Sequence, residues 1–305
     1  MKIAVLGIGG VGGIVGGALA KNYTETYFYV RGKNLDAIRR RGLRVRSALL
    51  GDFTVQPKLA SDSAEELGLM DVIFVSCKGY NLRAACESIA PMIKAETLVI
   101  PLLNGVIVSD MMRPMLPPCL LADGIIRVFS HLEQPGHIVQ SYGPCSVILG
   151  MRDGGIPQKL EETAAIVGKA GISTTLSDDI LADSWNKYMM MCGNSVLFCC
   201  CDGPAGKVRE HPGHMELVRA VAGELIAVAA ASGVTMPADM ADRYTENFSK
   251  LAPEAMSSLY RDLSGGKPPS ETELDHIIGR MIELGQQYGV PTPYHKAAYE
   301  RFAAK

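Results

Sequence analysis

The sequence predicts an α/β fold in which an N-terminal Rossmann-type doubly wound sheet is followed by a C-terminal all-helical domain. Three observations carry this prediction. A glycine-rich turn follows the first strand, apolar strand-like runs alternate with helical segments in the first half, and helical periodicity alone continues beyond Asp178. A length of 305 residues is typical of two domains. We therefore expect a first domain over residues 1–178 and a helical domain over residues 179–305.

The first strand, residues 2–6, leads directly into glycines with the spacing G-x-G-x-x-G. This spacing is typical of a turn that holds a dinucleotide pyrophosphate. Gly7 allows the tight turn, Gly9 lets the backbone approach the phosphates, and Gly12 lets the next helix pack closely on the strand. The amino terminus of that helix then offers N–H groups to the anion. The predicted cofactor-binding residues of the turn are Gly7, Ile8, Gly9, Gly10, Val11 and Gly12.

The following segments continue the α/β pattern. Residues 26–30 predict a second strand, residues 34–41 a short helix, and residues 43–47 with 53–56 a hairpin. Residues 71–76 and 97–102 are continuous apolar runs, as expected of buried parallel strands. Further strands are predicted over residues 120–128, 137–140 and 146–149, with a break at Gly143 and Pro144.

The second half predicts helices only. They are expected over residues 183–200, 214–232, 237–251, 271–288 and 293–304. Gly289 should end the fourth of these helices, and Pro291 should prevent its continuation.

The residue after the second strand indicates which dinucleotide binds. An NAD site usually carries a carboxylate there for the ribose 2′-hydroxyl, whereas this chain has Arg31 and, two residues later, Lys33. A 2′-phosphate needs cations, and a guanidinium can bind it through two parallel hydrogen bonds. The sequence therefore favours NADP(H). The alternative is that Arg31 faces solvent beyond the sheet.

Two polar residues follow neighbouring predicted strands. Lys78 comes after the strand at residues 71–76, and Asn104 follows the strand at residues 97–102. Ligands of open α/β sheets bind at the carboxyl ends of the strands, so both residues are candidates for binding cofactor and substrate. For Asn104 and Gly105 a plain Asn-Gly turn is the alternative.

Composition excludes several classes of partner. A formal net charge of −2 argues against nucleic acid, and no apolar stretch approaches the length of about 18 residues that a membrane helix needs. The eight cysteines lack the spacing of a zinc site, so we expect no metal and reduced, mostly buried thiols. We expect a cytoplasmic protein with a small-molecule substrate, as a monomer or a homodimer.

In order and spacing, the landmarks of the chain resemble the ketopantoate reductase (2-dehydropantoate 2-reductase) family over nearly its whole length. Besides the glycine turn, Arg31, Lys78 and Asn104, the shared landmarks are Trp185–Asn186–Lys187, Ser257–Ser258, Thr272–Glu273–Leu274–Asp275 and Gly289–Val290–Pro291–Thr292–Pro293.

The resemblance implies an enzyme that uses NADPH to reduce a 2-keto acid to a 2-hydroxy acid, with 2-dehydropantoate, a precursor in pantothenate biosynthesis, as the first candidate. It assigns Lys187 as the catalytic lysine and gives Lys78 and Asn104 roles at cofactor and substrate. It further implies that Ser258 and Glu273 bind substrate. The chemistry agrees, because an ammonium beside a ketone oxygen stabilises the negative charge that hydride addition creates and can deliver the proton.

The substrate half departs from the family pattern. The family carries asparagines four and eight residues after the lysine, where this chain has Met191 and Ser195, with Asn194 at seven. We take Asn194 and Ser195 as candidate substrate-binding residues. The acidic motif continues into Ile278 instead of asparagine.

The loop before the acidic motif is long, which makes Glu271 a rival of Glu273. Two alternatives to ketopantoate reduction therefore stay open. One is a related NADP-dependent hydroxy-acid dehydrogenase with another substrate, and the other is a non-catalytic NADP-binding sensor.

Overall fold

The computed structural model describes residues 1–303 and forms two compact units. The first unit comprises Met1–Leu103 and Ile107–Ile180, and the second comprises Asn104–Val106 and the chain from Leu181 onward. The boundary expected after residue 178 stays a prediction. No sequence pattern assigned residues 104–106 to the second unit, and this assignment matters for the site described below.

The first unit contains a six-stranded, wholly parallel sheet in the order β5-β2-β1-β6-β7-β8. Its strands are β1 (Ile3–Leu6), β2 (Thr26–Tyr29), β5 (Leu59–Ser61), β6 (Val72–Val75), β7 (Leu98–Pro101) and β8 (Leu120–Leu121). Alternate residues of β1 enter different cores: Ile3 and Val5 pack on one side of the sheet, and Ala4 and Leu6 on the other. Burial on both faces explains the continuous apolar runs in the sequence.

A second, mixed sheet of five strands lies in the same unit. Its strands are β3 (Leu43–Ser47), β4 (Gly51–Val55), β9 (Asp123–Gln134), β10 (His137–Gly150) and β11 (Ser173–Leu176). β10 pairs in parallel with β3 and β11 and antiparallel with β9. The expected hairpin is formed by β3 and β4: β3 has the predicted bounds, whereas β4 begins two residues and ends one residue earlier than the predicted second strand.

The helices of the first unit are α1 (Gly10–Asn22), α2 (Gly32–Arg41), α3 (Ala64–Leu67), α4 (Leu82–Ile89), α5 (Val108–Met112) and α6 (Gln158–Lys169). Helix α1 packs against both sheets, because its glycines leave no Cβ to hold either sheet away. A Cβ at Gly13 would lie 2.4 Å from Ile138, and one at Gly16 would lie 2.9 Å from Phe28. The glycine-rich sequence of α1 is therefore required by packing on two sides.

Two strand predictions were wrong in a way that only long-range pairing explains. Residues 120–128 form two strands, because β8 pairs with β7 in the parallel sheet whereas β9 pairs with β10 in the other. The buried carboxylate of Asp123, just past the break, accepts hydrogen bonds from Ser109 and Arg152. Conversely, residues 137–150 form the single strand β10, which passes Gly143 through irregularities in its register with β9.

The described part of the second unit is helical, which confirms the predicted fold class. Its helices are α7 (Ile180–Cys201), α8 (Ala205–Glu210), α9 (His214–Ala231), α10 (Met240–Ser249), α11 (Ser258–Ser264), α12 (Arg280–Tyr288) and α13 (Pro293–Ala303). The sequence did not predict α8 and α11. The helix expected from residue 271 begins later, with a π-helical segment, Asp275–Gly279, that continues into α12. It ends as predicted at Gly289, whose φ is 68°.

Candidate active site

A crevice lies where the strand order of the parallel sheet reverses. The chain builds outward from β1 to β2 and β5 on one side and then adds β6 and β7 on the other side of β1, and the carboxyl ends of β1, β2 and β6 border a cavity of about 310 Å³. Such a reversal is where open α/β sheets bind ligands. The cavity is lined by Leu6, Gly7, Ile8, Gly9, Tyr29, Val30, Arg31, Asn34, Ser76, Cys77, Lys78, Asn81, Ala85 and Ser88.

The glycine turn has the geometry that a pyrophosphate requires. Gly7 has a φ of +86°, and a Cβ there would lie 2.8 Å from the carbonyl oxygen of Ser76. A Cβ at Gly12 would lie 2.1 Å from the carbonyl oxygen of Gly7, so the turn and helix α1 meet backbone to backbone. At Gly9 a Cβ would meet nothing within 4 Å, which leaves open space beside the turn. A dinucleotide therefore fits the turn, since its phosphates can approach the backbone there.

Arg31 is exposed at the end of β2, where it borders the crevice. None of the lining residues carries a carboxylate, so the described crevice has no group to bind a ribose 2′-hydroxyl as NAD sites do. Lys78, which follows β6, adds a second cation to the lining. The electrostatics of the crevice fit an anion-rich dinucleotide.

Asn34, which also lines the crevice, fixes the glycine turn, and nothing in the sequence predicted this role. Its Nδ2 donates to the carbonyl oxygen of Ile8 at 2.6 Å, and its Oδ1 accepts from the N–H of Gly136 at 2.7 Å. One amide thus ties the turn to the loop between β9 and β10. Nothing local marks such a contact, because the partners are 26 and 102 residues away in the chain.

The second unit holds the predicted catalytic lysine in a hydrogen-bonded chain. Lys187 is half-buried on α7, and its Nζ donates to Oδ1 of Asn104 at 3.3 Å. The backbone carbonyl oxygen of the same Asn104 contacts Nε2 of His276 at 2.6 Å. Asn104 is therefore held at two atoms, by one side chain at its amide and by another at its backbone. It is not among the residues that line the crevice of the first unit.

His276 was not singled out by the sequence, where the histidines form no pattern. It lies in the π-helical segment, three residues after Glu273, and is 8% exposed. Burial lowers the pKa of His276, while its contact with the Asn104 carbonyl and the negative charge of Glu273 oppose that shift. The spacing from Glu273 was the available signal, because side chains three residues apart share a helix face.

The structure separates the two rival carboxylates. Glu273 is 6% exposed, whereas Glu271 is exposed in a short 3₁₀ turn before it. The negative charge of Glu273 acts on the pKa of His276, so of the two carboxylates Glu273 is the one that is buried and interacts with a residue of the Lys187–Asn104–His276 chain. Ser258 is exposed at the start of α11, and Ser257 is the residue that caps this helix through its hydroxyl.

The side chains that follow Lys187 on α7 are engaged within the helical unit. Oδ1 of Asn194 accepts from the hydroxyl of Tyr244 at 2.9 Å. Ser195 has no exposed surface, and its hydroxyl donates to the carbonyl oxygen of Met191 at 2.8 Å. Met191 itself is half-buried. The accessible face one turn after the lysine thus carries a thioether in place of an amide.

The described residues hold neither a metal-binding cluster nor a membrane-spanning helix. Among residues 1–303, no three His, Cys, Asp or Glu side chains come together as a metal would require. None of the described helices combines the length and the apolar character needed to cross a bilayer. The eight cysteines are all free thiols, and burial raises the pKa of Cys86 and Cys145 to about 11.

Two segments of the chain match domains of the same protein family. Residues 3–154 match the domain described as ketopantoate reductase PanE/ApbA, and residues 179–305 match the domain described as ketopantoate reductase PanE/ApbA C terminal.

Individual relatives agree over nearly full length. The uncharacterized oxidoreductase YkpB of Bacillus subtilis (strain 168) is 25% identical, with 98% of this chain and 97% of that protein covered. A 2-dehydropantoate 2-reductase of Mesorhizobium japonicum is 26% identical, with coverages of 96% and 94%. The crystal structure of a PanE/ApbA family ketopantoate reductase from Ralstonia eutropha JMP134 is 28% identical and has a TM-score of 0.87, with coverages of 98% and 96%.

Proposed function

This chain belongs to the ketopantoate reductase PanE/ApbA family of oxidoreductases, and on that basis we propose that it uses NADPH to reduce a 2-keto acid to the 2-hydroxy acid. The first candidate reaction is reduction of 2-dehydropantoate to pantoate in pantothenate biosynthesis. The observation that carries the proposal is the contact between the Lys187 ammonium and the Asn104 amide. It holds a proton donor in a defined direction, which a protein that only binds a dinucleotide does not need.

The first unit would bind the cofactor through contacts of three kinds. The turn Gly7–Gly12 would hold the pyrophosphate, because Gly9 leaves the approach open and the amino terminus of α1 favours an anion. Arg31 would bind the 2′-phosphate, and Lys78 would add a positive charge within the same crevice. When bound, NADPH supplies the hydride.

Lys187 would act on the ketone oxygen. Its ammonium group would donate a hydrogen bond to that oxygen, stabilise the negative charge that develops there, and transfer a proton to give the hydroxyl. Asn104 Oδ1 accepts one Nζ hydrogen and so restricts where the others point. Asn104 would thereby position the ammonium group.

Substrate contacts are proposed for Glu273 and Ser258. Glu273 is preferred to Glu271 because it is buried and its charge acts on His276, whereas Glu271 is exposed. Ser258 is exposed and able to meet a ligand. Asn194 and Ser195 are weaker candidates than the sequence suggested. The amide oxygen of Asn194 is bound by Tyr244, and the Ser195 hydroxyl is buried and bonded within α7.

A substrate other than ketopantoate is the second candidate, and Met191 favours it. This half-buried thioether, one helical turn after Lys187, offers no donor to a substrate hydroxyl, and the neighbouring Ser195 hydroxyl is already used. An apolar side chain on the keto acid would meet this surface without leaving a hydroxyl unpaired.

Loss of NADPH absorbance with a panel of keto acids tests the proposal. Ketopantoate and trimethylpyruvate form a matched pair, since the second is the first with hydrogen in place of its hydroxyl group. Faster turnover of ketopantoate supports the first candidate, and faster turnover of trimethylpyruvate supports the second. Tight binding of NADPH with no turnover of any keto acid contradicts both and indicates a sensor.

Arg31→Gln is expected to reduce the preference for NADPH over NADH about 10- to 100-fold, because a charge-assisted hydrogen bond to the 2′-phosphate is lost. The affinities of both cofactors are measured by titrating their fluorescence. Lys33→Gln is the control, since Lys33 is also exposed at the start of α2 but does not line the crevice. An equal loss of affinity for NADPH and NADH would show that Arg31 does not bind the 2′-phosphate.

A further inference from the structure

We infer that His276 is a positioning residue for the proton donor: it fixes the backbone of Asn104, and through Asn104 it fixes the ammonium group of Lys187. The catalytic consequence rests on the proposed function. The contacts among His276, Asn104 and Lys187 are observed in the structure whatever reaction the protein performs, and all three residues lie in the second compact unit.

The chemistry of the contact defines the state of the imidazole. A carbonyl oxygen can only accept, so Nε2 of His276 carries a hydrogen and donates it to Asn104 at 2.6 Å. The ring is buried, and burial favours its neutral form. The neutral ring with its hydrogen on Nε2 is therefore the state in which His276 holds the Asn104 backbone.

Asn104 links His276 to Lys187, because its backbone contacts the first residue and its side chain contacts the second. Asn104 belongs to the short stretch Asn104–Val106 that the helical unit includes, and Gly105 after it has a φ of 127°. Glycine adopts such a φ without strain but leaves the backbone free to take up many other conformations, so contacts to neighbouring residues must fix its position. With its carbonyl held by His276, the Asn104 side chain presents Oδ1 to Lys187 at 3.3 Å. Without that hydrogen bond, the amide and the ammonium group it orients are free to shift.

The local structure around His276 suits a positioning role. The histidine lies in a π-helical turn, a form that is rare in proteins and frequent at functional sites. Buried Ile277 and Ile278 anchor this turn on the core side, and the carbonyl oxygen of Ile277 accepts a hydrogen bond from Tyr188 on α7. The turn that carries His276 and the helix that carries Lys187 are thus joined by a second contact, which fixes the spacing between them.

Two substitutions at His276 separate positioning from mere stability. His276→Leu keeps the volume approximately and removes the donor, and is expected to lower kcat about 10- to 100-fold, as small displacements of catalytic groups do, with little change in NADPH affinity. His276→Gln restores an N–H donor near the Nε2 position and is expected to recover most of kcat. Tyr299→Phe is the matched control, because it removes a hydrogen bond to Asp275 in the same turn without touching Asn104. Equal damage by His276→Gln and His276→Leu would overturn the inference.

A double-mutant cycle with Asn104→Ala tests whether the effect passes through Asn104. If it does, adding His276→Leu to Asn104→Ala lowers kcat no further, because the side chain that transmits the effect is already gone. If His276 acts on overall structure alone, the two losses multiply, and the inference fails.

A readout without substrate keeps this test separate from the proposed function. Lysines labelled by reductive methylation report the environment of Lys187 by NMR, with Lys187→Met identifying its signal. A shift of this signal in His276→Leu, absent in Tyr299→Phe, supports the inference even if no keto acid is turned over. An unchanged Lys187 signal in His276→Leu contradicts it, whatever the enzyme reduces.

Discussion

Lys187→Met is expected to lower turnover about 10²- to 10⁴-fold while leaving NADPH affinity nearly unchanged. Methionine keeps most of the apolar stem and removes the ammonium group, so the variant loses charge stabilisation and proton delivery together. NADPH affinity should persist, because Lys187 is not among the residues that line the crevice proposed to bind the cofactor. Initial rates and cofactor titration by fluorescence measure the two effects separately.

Lys250→Met is the control for Lys187→Met. Lys250 is exposed just after the end of α10 and pairs with Glu246 one turn earlier, so its loss should leave both parameters unchanged. A Lys187→Met enzyme with nearly normal turnover would remove this residue from the mechanism. The proposed role of Asn104 in positioning the Lys187 ammonium group would then also be wrong.

Gly12→Ala is expected to destabilise the fold and Gly9→Ala to leave its stability unchanged, while both variants are expected to weaken cofactor binding. The new methyl group at position 12 would lie 2.1 Å from the carbonyl oxygen of Gly7, a backbone atom that can move only if the turn opens. We expect a loss of about 3 kcal/mol or more in the free energy of unfolding, together with loss of NADPH binding. At position 9 the methyl group meets no protein atom within 4 Å, so thermal stability should stay nearly unchanged.

Gly9→Ala is the more specific test of cofactor binding, because its methyl group should contact the bound dinucleotide without disturbing the protein. The methyl group would occupy the space through which the pyrophosphate approaches the backbone, and NADPH affinity should fall at least about tenfold, the ratio that about 1.4 kcal/mol gives. Thermal melting and cofactor titration measure both quantities. A Gly9→Ala protein that melts and binds NADPH like the original would show that the dinucleotide does not lie against this turn.

The parts of the site that depend on neighbours in sequence were predictable. The glycine spacing after a strand predicted the turn Gly7–Gly12. The position just after a predicted strand singled out the cations Arg31 and Lys78. The same holds for Gly289, where a helix ends in a left-handed glycine. These signals are local, so the sequence alone carries them.

The parts that depend on distant contacts were not predictable. His276 meets Asn104 across 172 residues, and Asn34 meets Gly136 across 102. No period or spacing marks such pairs, since each is created only when the chain has folded. The strand β10 shows the same limit, because its pairing with β3, β9 and β11 overrides the break that Gly143 predicts. Lys187 was predicted as the catalytic lysine from the resemblance to the ketopantoate reductase family. Its contact with Asn104 is seen only in the structure.

The most direct test of the account follows the transferred hydrogen itself. The protein is incubated with a 2-keto acid that it turns over and with NADPH that carries deuterium at the transferable position of the nicotinamide, and the product is analysed by mass spectrometry and NMR. We expect a 2-hydroxy acid with one deuterium at the carbon of the former ketone, formed in equal amount to the NADPH consumed. Oxidation of NADPH without deuterium at that carbon, or no product from any 2-keto acid, would contradict it.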